Sequence, residues 1–471
     1  MKVEEVELVV LGAGPGGYAA AFYAADKGKK VVLVEKETRL GGVCLNVGCI
    51  PSKALLHNAK VIAEAKHAAD RGIKFGKPEI DLARLRQWKE EMLNKLSGGI
   101  AQVAKMRGVE VLAGRGYFED SNTLRVETES GQRFLRYKTA ILAVGSKPAV
   151  PAAFDLGNKR VMTSSEALEL EEIPKKLLVV GGGYIGMELG TVYAALGSEI
   201  TLVEAMGSIL AGADPDLVRP VTRYAEKYFK EVRLGVKVQK MATAGKQIKV
   251  TMEVGGAKRE ELYDRVLVSI GRVANCDDIG LKNTKVQQDE KGFVKINAHQ
   301  QTTDPSIYAI GDVAGGIMLA HKAVKEARIA VEVITGEPSK FEHIVIPAVV
   351  FTDPEVAWCG LTETEAKAKN IPVEVARFSW AASGRAVSVD RTDGLTKLII
   401  EPETNRVLGV GIVGVGAGDL ISEGALAVEM GATAEDVASV VHPHPTFSET
   451  MMESAESFFG HATHTVSRKK N

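Results

Sequence analysis

Short apolar runs that close on glycine set the rhythm of this chain. Residues 7–11 form such a run and lead into Gly12, Gly14 and Gly17. A run of this length fits a buried strand better than a helix. The alanine-rich stretch 18–27 predicts a helix, and the β-branched run 30–34 predicts a second strand ending at Glu35. The same order returns later: strand 176–180, a turn with Gly181, Gly183 and Gly186, helix 187–196, and strand 199–203 ending at Glu204. One strand–turn–helix–strand unit of about 30 residues therefore occurs twice.

The apolar run 139–144 closes on Gly145, with Pro148 and Pro151 beyond it, which places a domain boundary there. Run 265–270 closes on Gly271 in the matching place of the second unit. A further strand before Gly311 and Asp312 is expected to return the chain to the first unit. From about residue 346, strands 349–351, 395–400 and 407–413 alternate with helices 363–369 and 419–429, and a last helix, 449–458, follows a Pro-His-Pro turn. The predicted fold class is α/β: two Rossmann-like dinucleotide-binding domains plus a C-terminal α+β domain. The boundaries read 1–147, 148–275, a central return segment 276–345, and 346–471.

Length and composition suit this plan. The chain has 471 residues, enough for about three domains. Its 48 glycines cluster after apolar runs, as strand-to-helix turns require, rather than in low-complexity tracts. A formal net charge of -1 gives no general attraction to nucleic acid or anionic lipid. The one basic cluster, Arg468 to Lys470, reads as a solvated tail. The acidic N-terminus does not resemble a secretory signal, and no stretch of 18 apolar residues occurs. A cytoplasmic protein without membrane contact is expected. Four cysteines in a chain this long make no disulfide scaffold.

The glycine spacing carries chemistry. In each G-x-G-x-x-G turn the first glycine permits the turn, the second lets a diphosphate approach the backbone, and the third lets helix and strand pack closely. The helix N-terminus then faces the phosphates. Glu35 and Glu204 each stand where a carboxylate can accept hydrogen bonds from a ribose diol. Glu204 would repel a 2′-phosphate, so the second site is expected to take NAD rather than NADP.

Cys44 and Cys49 are close in sequence, whereas Cys276 and Cys359 stand apart without an assigned role. Residues five apart in a regular helix have Cα atoms roughly 8–9 Å apart, beyond the roughly 4.4–6.8 Å of a disulfide. A bond here needs a distorted helix or a tight loop, and Gly48 and Pro51 supply the means. Taken alone, two buried thiols, a redox pair and a metal site all remain open, although no nearby residues complete a four-ligand set.

The stretch from Gly41 to Lys53, with Cys44, Asn46, Gly48, Cys49, Pro51 and Ser52 between them, resembles the redox signature of the class I pyridine nucleotide–disulfide oxidoreductases. Within that family it is most similar to the branch that oxidises dihydrolipoamide, and the likeness runs over essentially the whole chain. The resemblance implies FAD in the first site, NAD in the second, and a dimerisation role for the C-terminal domain. It implies that Cys44 exchanges with the substrate and that Cys49 lies against the flavin as the charge-transfer thiolate. Lys53, paired with Glu188, would sit near the reactive edge of the ring system, where a positive charge favours the reduced, anionic flavin. Gly116, Gly145, Asp312 and Ala320 resemble further FAD contacts, with Asp312 on the ribityl chain, and Gly271 and Arg272 resemble an NAD contact. Tyr184 resembles the ring that covers the nicotinamide pocket in glutathione reductase, which implies a gate for NAD; unchanged NAD kinetics in Tyr184→Val would end that expectation.

His444 lies between Pro443 and Pro445, with Glu449 five residues on. A rigid imidazole oriented by a carboxylate suits a general base, while Thr446 and Glu449 also have capping-box spacing. The resemblance places this pair in the other subunit's active site and so implies a homodimer. The implied reaction oxidises protein-bound dihydrolipoamide to lipoamide through a Cys44–Cys49 disulfide and FAD, reducing NAD+ to NADH. The expected partner is a separate lipoyl-bearing protein of a 2-oxoacid dehydrogenase complex or of the glycine cleavage system. Among rivals of the same fold, Glu204 argues against NADP-linked glutathione and trypanothione reductases, and the C-terminus lacks the cysteine pair of mercuric reductases. A soluble transhydrogenase would lack the Cys44/Cys49 pair, and a sensor without turnover would not need the full set of cysteines, His444 and Glu449.

Overall fold

The computed structural model describes residues 3–342 and 344–466; the basic cluster at Arg468 to Lys470 lies outside the described residues. Three sheets organise it. The first is built on Val3–Leu11, flanked by parallel strands Val31–Glu35 and Gly131–Leu142. Leu8, Val10, Leu33 and Ile141 are buried in its core. Ile307–Ala309 pairs with Gly131–Leu142, which brings the late chain back into this sheet. The helix expected at 18–27 begins earlier, as Pro15–Asp26, because Pro15 fits the first helical turn, where no backbone donor is needed.

The second sheet repeats the plan. Lys176–Val180 lies between parallel strands Glu199–Glu204 and Arg265–Val268, and Val161–Met162 and Glu231–Leu234 form its edges. An antiparallel three-stranded sheet, Lys237–Ala244, Gln247–Val254 and Ala257–Tyr263, stands between its fourth and fifth strands in chain order. A two-stranded antiparallel ribbon, Ser146–Pro148 with Arg272–Ala274, joins the two units. The third sheet is antiparallel and has five strands, with Val407–Gly414 between Glu355–Gly360 and Leu395–Ile400.

One core crosses these divisions. Leu55 and Leu56 of the helix Cys49–His67 share a cluster with Leu189 and Val192 of the second unit and with Val350, Val356 and Val413 of the C-terminal region. The redox helix is thus wedged between all three. A buried ion cluster ties the second unit to the C-terminal region. Lys397 is 1% exposed, and its ammonium lies 2.7 Å from each of Asp214, Asp216 and Glu363. Burial raises the pKa of both aspartates, but Lys397, joined by Thr364 and the Glu363 amide at Asp214 and by Arg377 at Asp216, outweighs it and holds them below their ordinary range. Among the described residues no helix is long and apolar enough to cross a membrane.

Candidate active site

The two glycine turns agree down to their side chains. Gly12 and Gly181 have φ of +100° and +107°, and a Cβ on either would lie 2.5 or 2.4 Å from the carbonyl oxygen of Ala143 or Ser269. Gly17 and Gly186 are closed in the same way, by the carbonyls of Gly12 and Gly181 at 1.8 and 2.0 Å. The middle glycines differ: a Cβ on Gly14 would meet only the Gly42 Cα at 4.0 Å, and one on Gly183 would meet nothing. Open space at the middle position is what an approaching diphosphate needs. Glu35 accepts from the Ala13 and Glu37 amides at 2.7 and 3.0 Å, and Glu204 from the Gly182 and Met206 amides at 2.6 and 2.7 Å. Each carboxylate thereby braces its own turn, and each oxygen keeps a second acceptor site for a ribose hydroxyl.

Cys44 lies in the short helix Gly42–Val47, and Cys49 starts the next one. Gly48 separates them with φ -147° and ψ -115°, and a Cβ there would lie 2.8 Å from the Val43 carbonyl oxygen. The expected distortion is therefore a break between two helices. Gly42, at φ +59°, sets this segment against Gly14, leaving 2.6 Å between a would-be Cβ and the Gly14 Cα. Both cysteines are free thiols, and their side chains hydrogen-bond each other. The Cys44 hydrogen bond is the main reason the Cys49 thiol falls to about 7; burial opposes the shift and the Lys53 charge assists it. The Cys44 thiol is pushed well up as the donor of the pair, with burial adding to the effect. The negative charge of the reduced pair is therefore placed on Cys49.

Lys53, one turn along from Cys49, reaches Glu188 of the helix Tyr184–Leu196 at 2.8 Å. Glu188 is buried, and its other oxygen accepts from the Phe351 amide at 3.0 Å. The Lys53 ammonium also lies 4.6 Å from the centroid of the Phe351 ring. Phe351, from the C-terminal region, was not expected at the site; its only sequence signal was a place at the end of a predicted strand.

A cleft of about 530 Å³ runs past these groups and is lined by Gly14, Glu35, Cys49, Gly116, Tyr184 and Asp312, among others. Gly145 and Ala320 also line it, Ala320 as the first residue of the helix Ala320–Ile334. Gly116 is tightly packed, since a Cβ there would lie 2.5 Å from Leu11 Cδ1. Gly181, Gly183, Gly186 and Glu204 stand apart from the cleft, at the second turn. Gly271 has φ +131° with open space around it. Its neighbour Arg272 lines the cleft and donates to Ser146, from Nε to the side-chain Oγ and from Nη2 to the carbonyl, both at 2.7 Å. Tyr184 is 42% exposed and lies beside Cys49 and Arg272 at the cleft. Burial pushes the Cys276 and Cys359 thiols up to about 11 and about 12, so neither is a thiolate at neutral pH.

His444 does not line this cleft. Its side chain is 72% exposed, and its Nδ1 lies 2.8 Å from Glu449 Oε1. Glu449 Oε2 accepts from the Thr446 amide at 2.7 Å. Burial raises the Glu449 pKa, but the Thr446 amide and His444 outweigh it and keep the carboxylate ionised. The reciprocal capping box is not made: the Thr446 hydroxyl donates to the Pro443 carbonyl, and the helix Glu449–Phe459 starts after Ser448. The imidazole is thus oriented and solvent-facing, outside the cleft that holds the thiols.

Residues 6–327 match the family described as pyridine nucleotide-disulphide oxidoreductase, and residues 346–455 match the dimerisation domain of that name. A dihydrolipoyl dehydrogenase of Vibrio parahaemolyticus is 47% identical over 99% of this chain and 98% of its own length. One from Bacillus subtilis is 44% identical, covering 98% of both chains. Among solved structures, the HOCl-induced flavoprotein disulfide reductase RclA from Escherichia coli superposes with a TM-score of 0.84 at 26% identity, over 94% of this chain and 98% of that one.

Proposed function

This chain belongs to the pyridine nucleotide-disulphide oxidoreductase family, and we propose that it works as a dihydrolipoyl dehydrogenase, oxidising protein-bound dihydrolipoamide to lipoamide and reducing NAD+ to NADH. The observation that carries this reading is the Cys44/Cys49 pair, held across the helix break at Gly48 inside a cleft shared with a dinucleotide-binding turn. The residues fit the two cofactors of the family. The open space at Gly14 and the acceptors on Glu35 suit the diphosphate and ribose of FAD, and Gly183 and Glu204 offer the same to NAD. Bound FAD would take an electron pair from the cysteines and pass it as hydride to NAD.

The residues of the chain do the rest. His444 of the partner subunit, steered by its Glu449, takes a proton from a substrate thiol. The thiolate attacks the Cys44 sulfur of the Cys44–Cys49 disulfide, forming a mixed disulfide and expelling Cys49 as a thiolate. The Lys53 charge beside Cys49 lowers the cost of expelling it as a thiolate. The second substrate thiolate then attacks the substrate sulfur of the mixed disulfide, closing the lipoamide ring and releasing Cys44, which is protonated. Lys53, anchored by Glu188, holds positive charge beside Cys49 throughout. Tyr184, half-exposed beside Cys49, supports the reading of a gate for NAD.

The dimerisation domain and the solvent-facing His444 support a homodimer with shared sites. Lipoyl-bearing proteins of 2-oxoacid dehydrogenase complexes or the glycine cleavage system are the partners this chemistry serves. The four free cysteines suit a reducing cytoplasm. The test is NADH formation by FAD-loaded protein given dihydrolipoamide or reduced glutathione. Rapid formation with dihydrolipoamide alone is expected. Failure with both donors would overturn the assignment.

A further inference from the structure

Arg272, expected as an NAD contact, also turns two of its donors to Ser146. The ribbon that joins the two dinucleotide-binding units pairs Ala274 with Ser146 and Arg272 with Pro148. Arg272 Nε donates to Ser146 Oγ and Nη2 to the Ser146 carbonyl, both at 2.7 Å. Ser146 is 3% exposed, and its hydroxyl donates in turn to Asp312 Oδ2. One hydroxyl thus accepts from Arg272 and donates to Asp312, which fixes its rotor. Arg272 Nε also stands 3.9 Å from the same carboxylate oxygen. From the other side, the amide of Gly311, next to Asp312, donates to the buried Glu326 carboxylate at 2.7 Å, and Lys322 lies 2.6 Å from Glu326.

We propose that Arg272 and Ser146 are positioning residues for FAD: they form a relay across the hinge that aims Asp312 into the cleft, so that the second unit helps to hold the first unit's cofactor. This rests on the reading of Asp312 as a ligand of the FAD ribityl chain. The single donor of the Ser146 hydroxyl goes to Asp312, and Arg272 holds the same oxygen from its acceptor side. Removal of either Arg272 or Ser146 leaves Asp312 free to turn toward solvent. Because both act through one carboxylate, their effects do not add.

The experiment follows the release of FAD from purified holoprotein by the fluorescence of freed flavin, in Ser146→Ala, Arg272→Met and the double variant, with Arg272→Lys as the conservative control. Each single variant is expected to release FAD about tenfold faster, the scale of one lost charge-assisted hydrogen bond. The double variant is expected to be no faster than the faster single, and Arg272→Lys to recover part of the retention. The melting temperature of the cofactor-free protein should stay unchanged. Additive effects, unchanged release, or a fall in the melting temperature that accounts for the loss would overturn the relay. A raised KM for NAD in Arg272→Met with normal FAD release would return Arg272 to an NAD contact. A wild-type protein that retains no FAD would bring down the underlying reading and the relay with it.

Discussion

At the scale of single residues, chemistry here follows from who donates to whom. Cys44 and Cys49 have the same side chain, and what separates them is the direction of one hydrogen bond together with the nearby Lys53. The reduced pair is therefore expected to react with iodoacetamide with an inflection near pH 7, and Lys53→Met to move that inflection upward, since loss of the cation disfavours the thiolate. The value belongs to the coupled pair. An inflection near 9.0, the ordinary thiol value, in both proteins would show that neither Cys44 nor Lys53 tunes Cys49. The pairing of Glu188 with Lys53 was legible from the family motif. The donation of the Phe351 amide to Glu188 was not, because the two residues are 163 positions apart and nothing in a strand-ending phenylalanine marks where its amide points.

At the scale of elements, each glycine has a separate task, and substitution should separate them. Gly186→Ala forces a methyl against the Gly181 carbonyl and is expected to destabilise the chain by about 3 kcal/mol. Gly183→Ala meets open space and should change stability by less than about 0.5 kcal/mol, while raising the KM for NAD about tenfold by displacing a phosphate contact. Urea denaturation beside NAD kinetics checks both, and the pair of effects in reverse would mean that the turn does not face a diphosphate. Elements with a dense apolar run, Lys176–Val180 and Leu395–Ile400, and the helix Glu363–Lys369, made of strong helix formers, match their expected bounds. The 25-residue helix Leu82–Met106 was missed. It is mostly exposed and buries little beyond Lys89, Leu93, Ser97 and Ala104, so its apolar stripe is too thin to stand out. The antiparallel strands 237–263 were missed for a related reason, since their charged outer faces dilute the alternation.

At the scale of the whole molecule, His444 does not line the cleft that holds the thiols, which supports the proposal that a complete site needs two chains. Cys44→Ser and His444→Gln homodimers should each be nearly inactive, the latter by roughly 10²–10⁴-fold. Mixed and allowed to exchange subunits, they should recover about a quarter of wild-type activity, because half the dimers then carry one intact site. No recovery after demonstrated exchange would place His444 in its own subunit's site. The repeated glycine turns, the terminal acids, the cysteine spacing and the His444–Glu449 pair were determined by the sequence alone, because each depends on neighbours within a few tens of residues and on the few residue types whose backbone or side chain permits that chemistry. Only the tertiary structure decided that the Phe351 amide meets Glu188, that Arg272 turns to Ser146, and that Lys397 reaches Asp214 and Asp216. Those outcomes depend on the directions and distances of groups brought together from more than a hundred residues apart, and a linear pattern of residue types carries neither.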